Sequence, residues 1–174
     1  SYSKRLNIKN INNNKNIEFD GGFKIRGSKL YGSGSIDNLS KLIISYNNKK
    51  VLVAESIGFI INDEQIISEN AKIKFFLDSD SIFHPASNLV FSEISKTLTL
   101  SRGTDGIFAA PFYNSYHKLD MYVETLSWLV GEHVVKLSVP KGSKSLKTAH
   151  FASLNFFDAK IYDKLNNERG NFLV

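Results

Sequence analysis

The chain contains no cysteine, only three prolines, and a single tryptophan and methionine in 174 residues. The lack of cysteine excludes disulfides and thiolate chemistry, so packing alone must hold the fold. Because cysteine-free chains occur on both sides of a membrane, this lack does not indicate a compartment. No run of about 18 apolar residues occurs, so the sequence predicts no transmembrane helix in this segment.

The sequence also lacks an amino-terminal signal, which would be a charged stretch followed by an apolar one. The first residue is Ser rather than Met, so we expect a piece processed or excised from something longer. A signal or anchor could have been removed with the remainder.

The residues that are present favour a sheet. Apolar residues make up 42% and charged residues 22% of the chain, as in ordinary folded proteins, and the length suits one domain. The 13 Phe and 7 Tyr, together with many β-branched and Ser/Thr/Asn residues, favour strands over helices.

The net charge is +5, and residues 1–60 hold ten Lys/Arg against four Asp/Glu. A basic balance can indicate nucleic acid. These lysines are scattered, however, without arginine clusters or an aromatic-interleaved motif. Scattered lysines are typical of edge-strand protection and solubility, so we expect no nucleic-acid partner.

The clearest strand pattern lies in residues 71–102. Four apolar residues alternate there with polar ones: Ala71, Ile73, Phe75 and Leu77. Alternation predicts a strand with one buried face. We expect residues 78–81 and Pro85 to belong to a polar turn, and residues 89–91 and 97–100 to pair as a hairpin.

Similar hairpins are predicted for residues 42–54 and 57–67, with Gly21-Gly22 turning the chain before another strand. Strands recurring every eight to twelve residues indicate an antiparallel all-β fold, either a sandwich or an elongated, curled sheet. Tight connections leave no room for the crossover helices of a parallel sheet.

Residues 119–130 fit two patterns. Their apolar residues could form the stripe of an amphipathic helix, but their β-rich surroundings favour a strand in which Tyr122, Glu124, Leu126 and Trp128 share a face. We predict one helix, from Ser153 to Leu165, with Ser153 as its N-cap. The predicted domains are a polar linker or loosely paired first strand at 1–16, a β domain at 17–152, and a packed helix and tail at 153–174.

Several blocks of the chain resemble one stretch of long, exported β-rich proteins of the Bacteroidota cell envelope. They cover most of the chain after residue 18: FDGGFKIRGSKLYGSG, DSDSIFHPASNL, LSRGTDGIFAAPFYNSYHKLDMYVETLSW and SLNFFDAKIYDKL. The resemblance implies an extracytoplasmic segment of a much longer protein. It implies no functional residue and no activity.

The nearest approach to a catalytic constellation lies in residues 114–120. His117 and Asp120 could act as base and orienting group, with Ser115 as nucleophile. Neighbours in sequence rarely supply triad geometry, so the alternative is a loop in which His117 satisfies backbone groups. We predict no catalytic residue and no cofactor.

A metal site is a second candidate, with Asp78, Asp80 and His84 as ligands. The Asp-x-Asp start resembles a calcium loop, but Ile82, Phe83 and Leu89 occupy positions at which an EF-hand requires other residues. The alternative is an Asx-type turn, in which an Asp side chain bonds the nearby backbone, held by Pro85.

Aromatic residues give a third candidate, a platform on which sugar rings stack while polar side chains bind hydroxyls. Its predicted ligand-binding residues are Tyr113, Tyr116, His117, Asp120, Glu124 and Trp128. The alternative places these aromatics in the core.

We therefore expect a non-catalytic structural or interaction module of a larger cell-envelope protein. Its expected partners are other segments of that protein or other envelope proteins. One alternative is a carbohydrate-binding module or a glycan hydrolase on a sandwich, with Asp120 and Glu124 or Asp105 as carboxylates. A second alternative is an open sheet whose apolar groove conducts lipid.

Overall fold

The computed structural model describes residues 4–11, 16–77, 80–132, 134–138, 150–153 and 171–173. A short 3-10 helix spans Gly106–Ala109. The strands are β1 Leu6–Lys9, β2 Ile17–Arg26, β3 Lys29–Ser33, β4 Ser40–Tyr46, β5 Lys49–Ser56, β6 Gly58–Ile61, β7 Gln65–Leu77, β8 Asp80–Ser92, β9 Thr97–Ser101, β10 Phe112–Asn114, β11 Leu119–Tyr122, β12 Thr125–Leu129, β13 Val134–Ser138, β14 His150–Ser153 and β15 Asn171–Leu173.

These strands form one sheet in which every pairing is antiparallel. Some rows of the sheet hold two short strands end to end, because both pair with the same neighbour. Thus β3 and β4 both pair with β2, β5 and β6 both pair with β7, and β9 and β10 both pair with β8. Counted by rows, the sheet is a meander that follows chain order. The prediction of an antiparallel all-β fold is confirmed.

The predicted hairpins at residues 42–54 and 57–67 are present. Asn47 and Asn48, between β4 and β5, both have positive φ, at 50° and 61°. Two successive positive φ values match the type I′ turn that suits the strand twist, and Asn tolerates this conformation. Between β6 and β7, the Asn62 side chain accepts hydrogen bonds from the backbone N–H groups of Glu64 and Gln65.

Along each of several successive rows, the alternation of buried and exposed residues changes phase by one residue. These phase changes lie side by side and form a line across the sheet. In β7 the buried positions pass from Ile66 and Ser68 to Ala71 and Ile73, across Asn70 with its φ of 58°. We call this line the seam; it runs through Ile57, Asn70, Ala86–Ser87, residues 102–111 and Val123–Glu124. A one-residue shift would turn a strand's apolar set outward, unless the strand also bends there.

The two halves of the sheet, one on each side of the seam, pack face to face. The rings of Phe75 and Trp128 lie 5.4 Å apart, centroid to centroid. Across the strands, Trp128 pairs with Leu98, Leu98 with Phe91, and Phe91 with Ile66. Trp128 therefore lies at the same height along the sheet as Ile66. Phe75 lies on the order of 30 Å farther along β7 than Ile66, at about 3.3 Å per residue. The ring contact therefore requires the sheet to fold over at the seam.

The core lies between the two halves. Phe19 and Phe59, also from opposite sides of the seam, meet edge to face at 5.8 Å. The apolar residues on the inner faces of both halves are buried, among them Leu52, Ile73 and Leu100. A lipid groove would need a continuous apolar trough that stays uncovered, and these side chains instead contact one another.

The prediction that Pro85 belongs to a turn is wrong, because Pro85 lies inside β8. Proline has no N–H to donate to a ladder, so it is tolerated only where no partner needs one. Pro85 directly precedes the seam residues Ala86–Ser87, where the register between β7 and β8 skips from Ile73–His84 to Ala71–Ser87. On its other side, β9 has ended and β10 has not begun.

Two further expectations need correction. Gly21-Gly22 does not turn the chain but continues β2. Residues 119–130 are extended, as preferred, but they form two strands that meet at the seam. Tyr122 and Glu124 are consequently exposed whereas Leu126 and Trp128 are buried, so these four residues do not share a face.

Of the predicted chain divisions, residues 1–16 contain a paired first strand, since β1 is hydrogen-bonded to β2. The predicted helix falls on residues 154–165, which lie outside the described part of the chain. Its predicted N-cap, Ser153, is the last residue of β14. Within the described residues, no helix has the length and apolarity needed to cross a bilayer.

Candidate functional site

The predicted constellation at residues 114–120 forms the turn between β10 and β11. The Asn114 side chain accepts hydrogen bonds from the backbone N–H groups of Tyr116 and His117, at 3.0 and 3.2 Å. The Ser115 hydroxyl accepts a hydrogen bond from the Ser81 N–H at 2.7 Å. Ser115 therefore ties this turn to the start of β8, and that bond occupies the hydroxyl proposed as a nucleophile.

Four of the six predicted ligand-binding residues come together around this hairpin. Tyr113 lies directly opposite Asp120 in the β10–β11 ladder. Tyr116 is 63% exposed, and its ring contacts the His117 ring edge to face at 4.6 Å. The hairpin therefore presents one exposed aromatic ring beside a histidine.

The other two predicted ligand-binding residues lie elsewhere. Trp128 is only 6% exposed, packs on Phe75, and donates its indole N–H to the Glu132 carbonyl at 2.8 Å. Glu124 is exposed at the seam, and its carbonyl accepts a hydrogen bond from the Arg102 N–H. The structure thus separates Trp128 from the Tyr116 hairpin by placing it in the core.

Of the three predicted metal ligands, Asp78 lies outside the described residues, so the complete site stays a prediction. His84 is fully buried and uses both ring nitrogens. Nδ1 accepts the Ala86 N–H at 3.1 Å, and Nε2 lies 2.8 Å from the Ala110 carbonyl. No group of three or more His, Asp or Glu side chains among the described residues could hold a metal ion.

The two hydrogen bonds of His84 define its charge state. Because Nδ1 accepts from a backbone N–H, the proton of a neutral ring resides on Nε2, where it is donated to Ala110. Burial lowers the pKa of His84 below its ordinary value of 6.5, the hydrogen bond to Ala110 raises it, and the nearby Arg102 charge lowers it. The neutral ring also packs on Phe112, with centroids 4.7 Å apart, so His84 anchors the seam loop, residues 102–111.

Arg102 begins the seam loop. Its Nε and Nη1 atoms are buried, and no group in the described part of the chain forms a hydrogen bond with them. The guanidinium lies over the Tyr122 ring, 5.6 Å from its centroid. A buried polar nitrogen without a partner is costly, and more so when it carries charge. Arg102 is not among the residues predicted from the sequence, although an arginine directly after a predicted strand and before Gly103 was a usable signal.

A different surface lies at the other end of the meander. We define the amino-terminal edge as β1 together with Lys24–Arg26 of β2. Within the described residues β1 pairs with β2 alone, through Gly21 and the residues before it. Beyond β1, Lys24–Arg26 pairs with β3 on one side, and no described strand covers its other side.

The amino-terminal edge is exposed and basic. Lys24 and Arg26 are exposed, and Ile25 between them is 66% exposed. Lys4 and Lys9 extend the basic character along β1. Lysines on an edge strand discourage pairing with copies of the same edge, and the same charges attract a strand of opposite sign.

Arg5 holds the amino-terminal edge in place. Its guanidinium bonds the Asp20 carboxylate and the Asn38 side chain, both at 2.5 Å, and the Leu39 carbonyl at 3.0 Å. These contacts join the start of β1 to β2 and to the connection between β3 and β4. Because these contacts fix β1 as a strand, the backbone on its outer side is already extended and needs no ordering before it pairs.

No family model, curated protein or solved structure matches this chain. Three regions have geometry that bears on function: the Tyr116 hairpin, the seam loop and the amino-terminal edge.

Proposed function

We propose that the protein is a non-catalytic β module whose amino-terminal edge pairs with an extended, acidic strand of a partner polypeptide. One observation carries the proposal: β1 pairs on one side only among the described strands, and Lys24–Arg26 extends past it with exposed side chains. Backbone N–H and C=O groups on an open edge pair most readily with another strand.

The charge of the edge supports an acidic partner. Lys9, Lys24 and Arg26 lie along it, and Lys4 lies just before β1. Of the acidic groups nearby, Asp20 already pairs with Arg5, and Glu18 lies opposite Lys9 in the ladder. A strand with Asp or Glu on its outward positions would therefore meet complementary charge and backbone hydrogen bonds together.

The proposal extends to cellular context. The resemblance to long, exported Bacteroidota proteins supports an extracytoplasmic, cell-envelope location. The partner strand would then belong to another segment of the same longer protein or to a neighbouring envelope protein.

Fluorescence anisotropy with two labelled strand peptides tests the function. One peptide alternates Glu and Val, and the other alternates Lys and Val. We expect only the Glu peptide to bind, with affinity that falls as salt rises. The double substitution Lys24→Glu with Arg26→Glu should weaken binding at least about tenfold.

The matched control is Lys118→Glu with Lys136→Glu, which changes net charge equally at two exposed positions away from the edge. It should leave binding unchanged. Equal affinity for both peptides, or equal loss in both double variants, would contradict pairing at this edge.

A glycan-binding function is a second candidate, supported by the exposed Tyr116 ring beside His117, Tyr113 and Asp120. Aromatic rings stack on sugars while neighbouring polar groups bind hydroxyls. On a glycan array, Tyr116→Ala should abolish binding and Tyr122→Ala, another exposed tyrosine, should not. An array that is blank for the wild-type protein removes this candidate.

A further inference from the structure

The seam loop contains a charged group that the proposed strand pairing does not use. Arg102 has two guanidinium nitrogens, Nε and Nη1, that are buried and have no hydrogen-bond partner among the described residues. An unpaired charge in this setting is destabilising unless an opposite charge accompanies it. From this we propose that Arg102 binds a small oxyanion, a carboxylate or a phosphate group, between the seam loop and Tyr122.

The groups around Arg102 leave it as the positive centre of the site. His84 is neutral, because its Nδ1 accepts from Ala86 and its Nε2 proton is donated to Ala110. The guanidinium carbon lies over the Tyr122 ring, 5.6 Å from its centroid. Such a cation–π contact uses no N–H group, so the N–H groups are left for an oxyanion.

Two neighbouring carboxylates, Asp105 along the chain and Glu124 across the sheet, do not hydrogen-bond the buried nitrogens of Arg102. Asp105 accepts a hydrogen bond from the Thr104 hydroxyl at 3.1 Å and is exposed. Glu124 contacts Arg102 through its backbone carbonyl, whereas its own side chain is exposed. Because neither of these described carboxylates pairs with Arg102, we assign that role to an external oxyanion.

Arg102 as a whole is only partly buried, and Nη2 is not among its buried, unpartnered atoms. We infer that the oxyanion approaches on the Nη2 side. There it accepts from Nη2 and offsets the guanidinium charge, which is delocalised over all three nitrogens.

Thermal unfolding in rising phosphate, and separately in rising acetate, tests the site at constant ionic strength. At ten times the dissociation constant, we expect the wild-type midpoint to rise by about 3–5 °C. Arg102→Gln should remove this rise. Lys136→Gln, which changes net charge equally at an exposed position, should keep it and so corrects for general salt effects. A response to either anion supports the site, and the arm that responds identifies its chemistry.

A second measurement does not depend on the stability of the variants. The Nε–Hε NMR signal of Arg102, assigned by its disappearance in Arg102→Lys, should shift saturably in wild-type protein with phosphate or acetate. An unmoved signal with both anions, together with equal thermal shifts in wild type and Arg102→Gln, would overturn the proposal. Neither measurement involves the amino-terminal edge. Failure of the oxyanion proposal is therefore distinguishable from failure of the strand-pairing proposal.

Discussion

Single residues at the seam combine burial with hydrogen bonds that only one protonation state can make. His84 is the clearest case, since it is fully buried between Ala86, Ala110 and Phe112. The sequence drew attention to His84 through its nearness to Asp78 and Asp80. It could not reveal that the ring faces the core, because the partner Ala110 lies far along the chain in a loop without periodicity.

The stability of the fold should depend on pH through His84. Its pKa is lowered in the folded protein, so the unfolded chain takes up a proton first as the pH falls. The contribution of His84 is therefore complete above about pH 6.5 and is lost as the pH falls from there toward the folded pKa. The slope is at most about 1.4 kcal/mol per pH unit.

Urea unfolding at a series of pH values measures this slope. We expect His84→Gln to be less stable at neutral pH and to lack the His84 part of the slope below pH 6.5. The control variant His117→Gln, in a partly exposed turn, should keep the His84 part of the slope. Identical pH profiles for wild type and His84→Gln would show that His84 is protonated equally in both states.

At the scale of strands and turns, the sequence was informative wherever structure depends on near neighbours. The Asn47-Asn48 hairpin and the Asn62 turn were predictable, because turn residues act on their own backbone. The seam was not. A bulge such as that at Asn70 leaves the alternation intact on both sides, and a strand proline such as Pro85 resembles a turn proline unless its partner strand is known.

The turn between β4 and β5 should respond to Asn48, whose φ is 61°. Asn48→Gly should raise the free energy of unfolding by about 0.5 kcal/mol, because Asn-Gly is the preferred type I′ pair. Asn48→Val should lower it by about 1–3 kcal/mol, since a β-branched residue is strained at positive φ. Denaturant unfolding of both variants checks the opposite signs, and a loss in both would contradict a type I′ turn.

Glycines inside β2 and β3 make room for the Phe19 ring. A Cβ placed on Gly32 would lie 2.5 Å from the Phe19 ring, whereas at Gly58 its nearest contact is at 3.9 Å. Gly32→Ala should therefore lower the free energy of unfolding by about 1–3 kcal/mol through overpacking. Gly58→Ala, the matched control, should change it little. Equal effects in calorimetry would mean that Phe19 does not lie over Gly32.

At the scale of the whole molecule, one continuous sheet supplies both layers of its own core. The sequence indicated buried alternating faces but could not choose between a sandwich and a curled sheet, because both produce the same pattern. It also placed Trp128 among the ligand-binding candidates. The contact of Trp128 with Phe75 arises only once the sheet folds across the seam, and no local pattern reports that contact.

A double-mutant cycle with Phe75→Leu and Trp128→Phe measures this contact between layers. We expect a coupling of about 0.5–1.5 kcal/mol, the usual range for an edge-to-face pair. The control cycle combines Phe75→Leu with Phe19→Leu, because Phe19 contacts Phe59 instead. The two changes in unfolding free energy should add in this cycle. Additivity in both cycles would contradict the packing of the two halves.

At this scale the function depends on the amino-terminal edge as a pairing surface for an acidic strand. Hydrogen exchange of backbone amides, with and without the Glu–Val peptide, tests this most directly. We predict slower exchange at residues 6–9, the strand whose outer side the peptide pairs with, and unchanged exchange in residues 102–111. Unchanged exchange along the edge, or slowing confined to other strands, would contradict it.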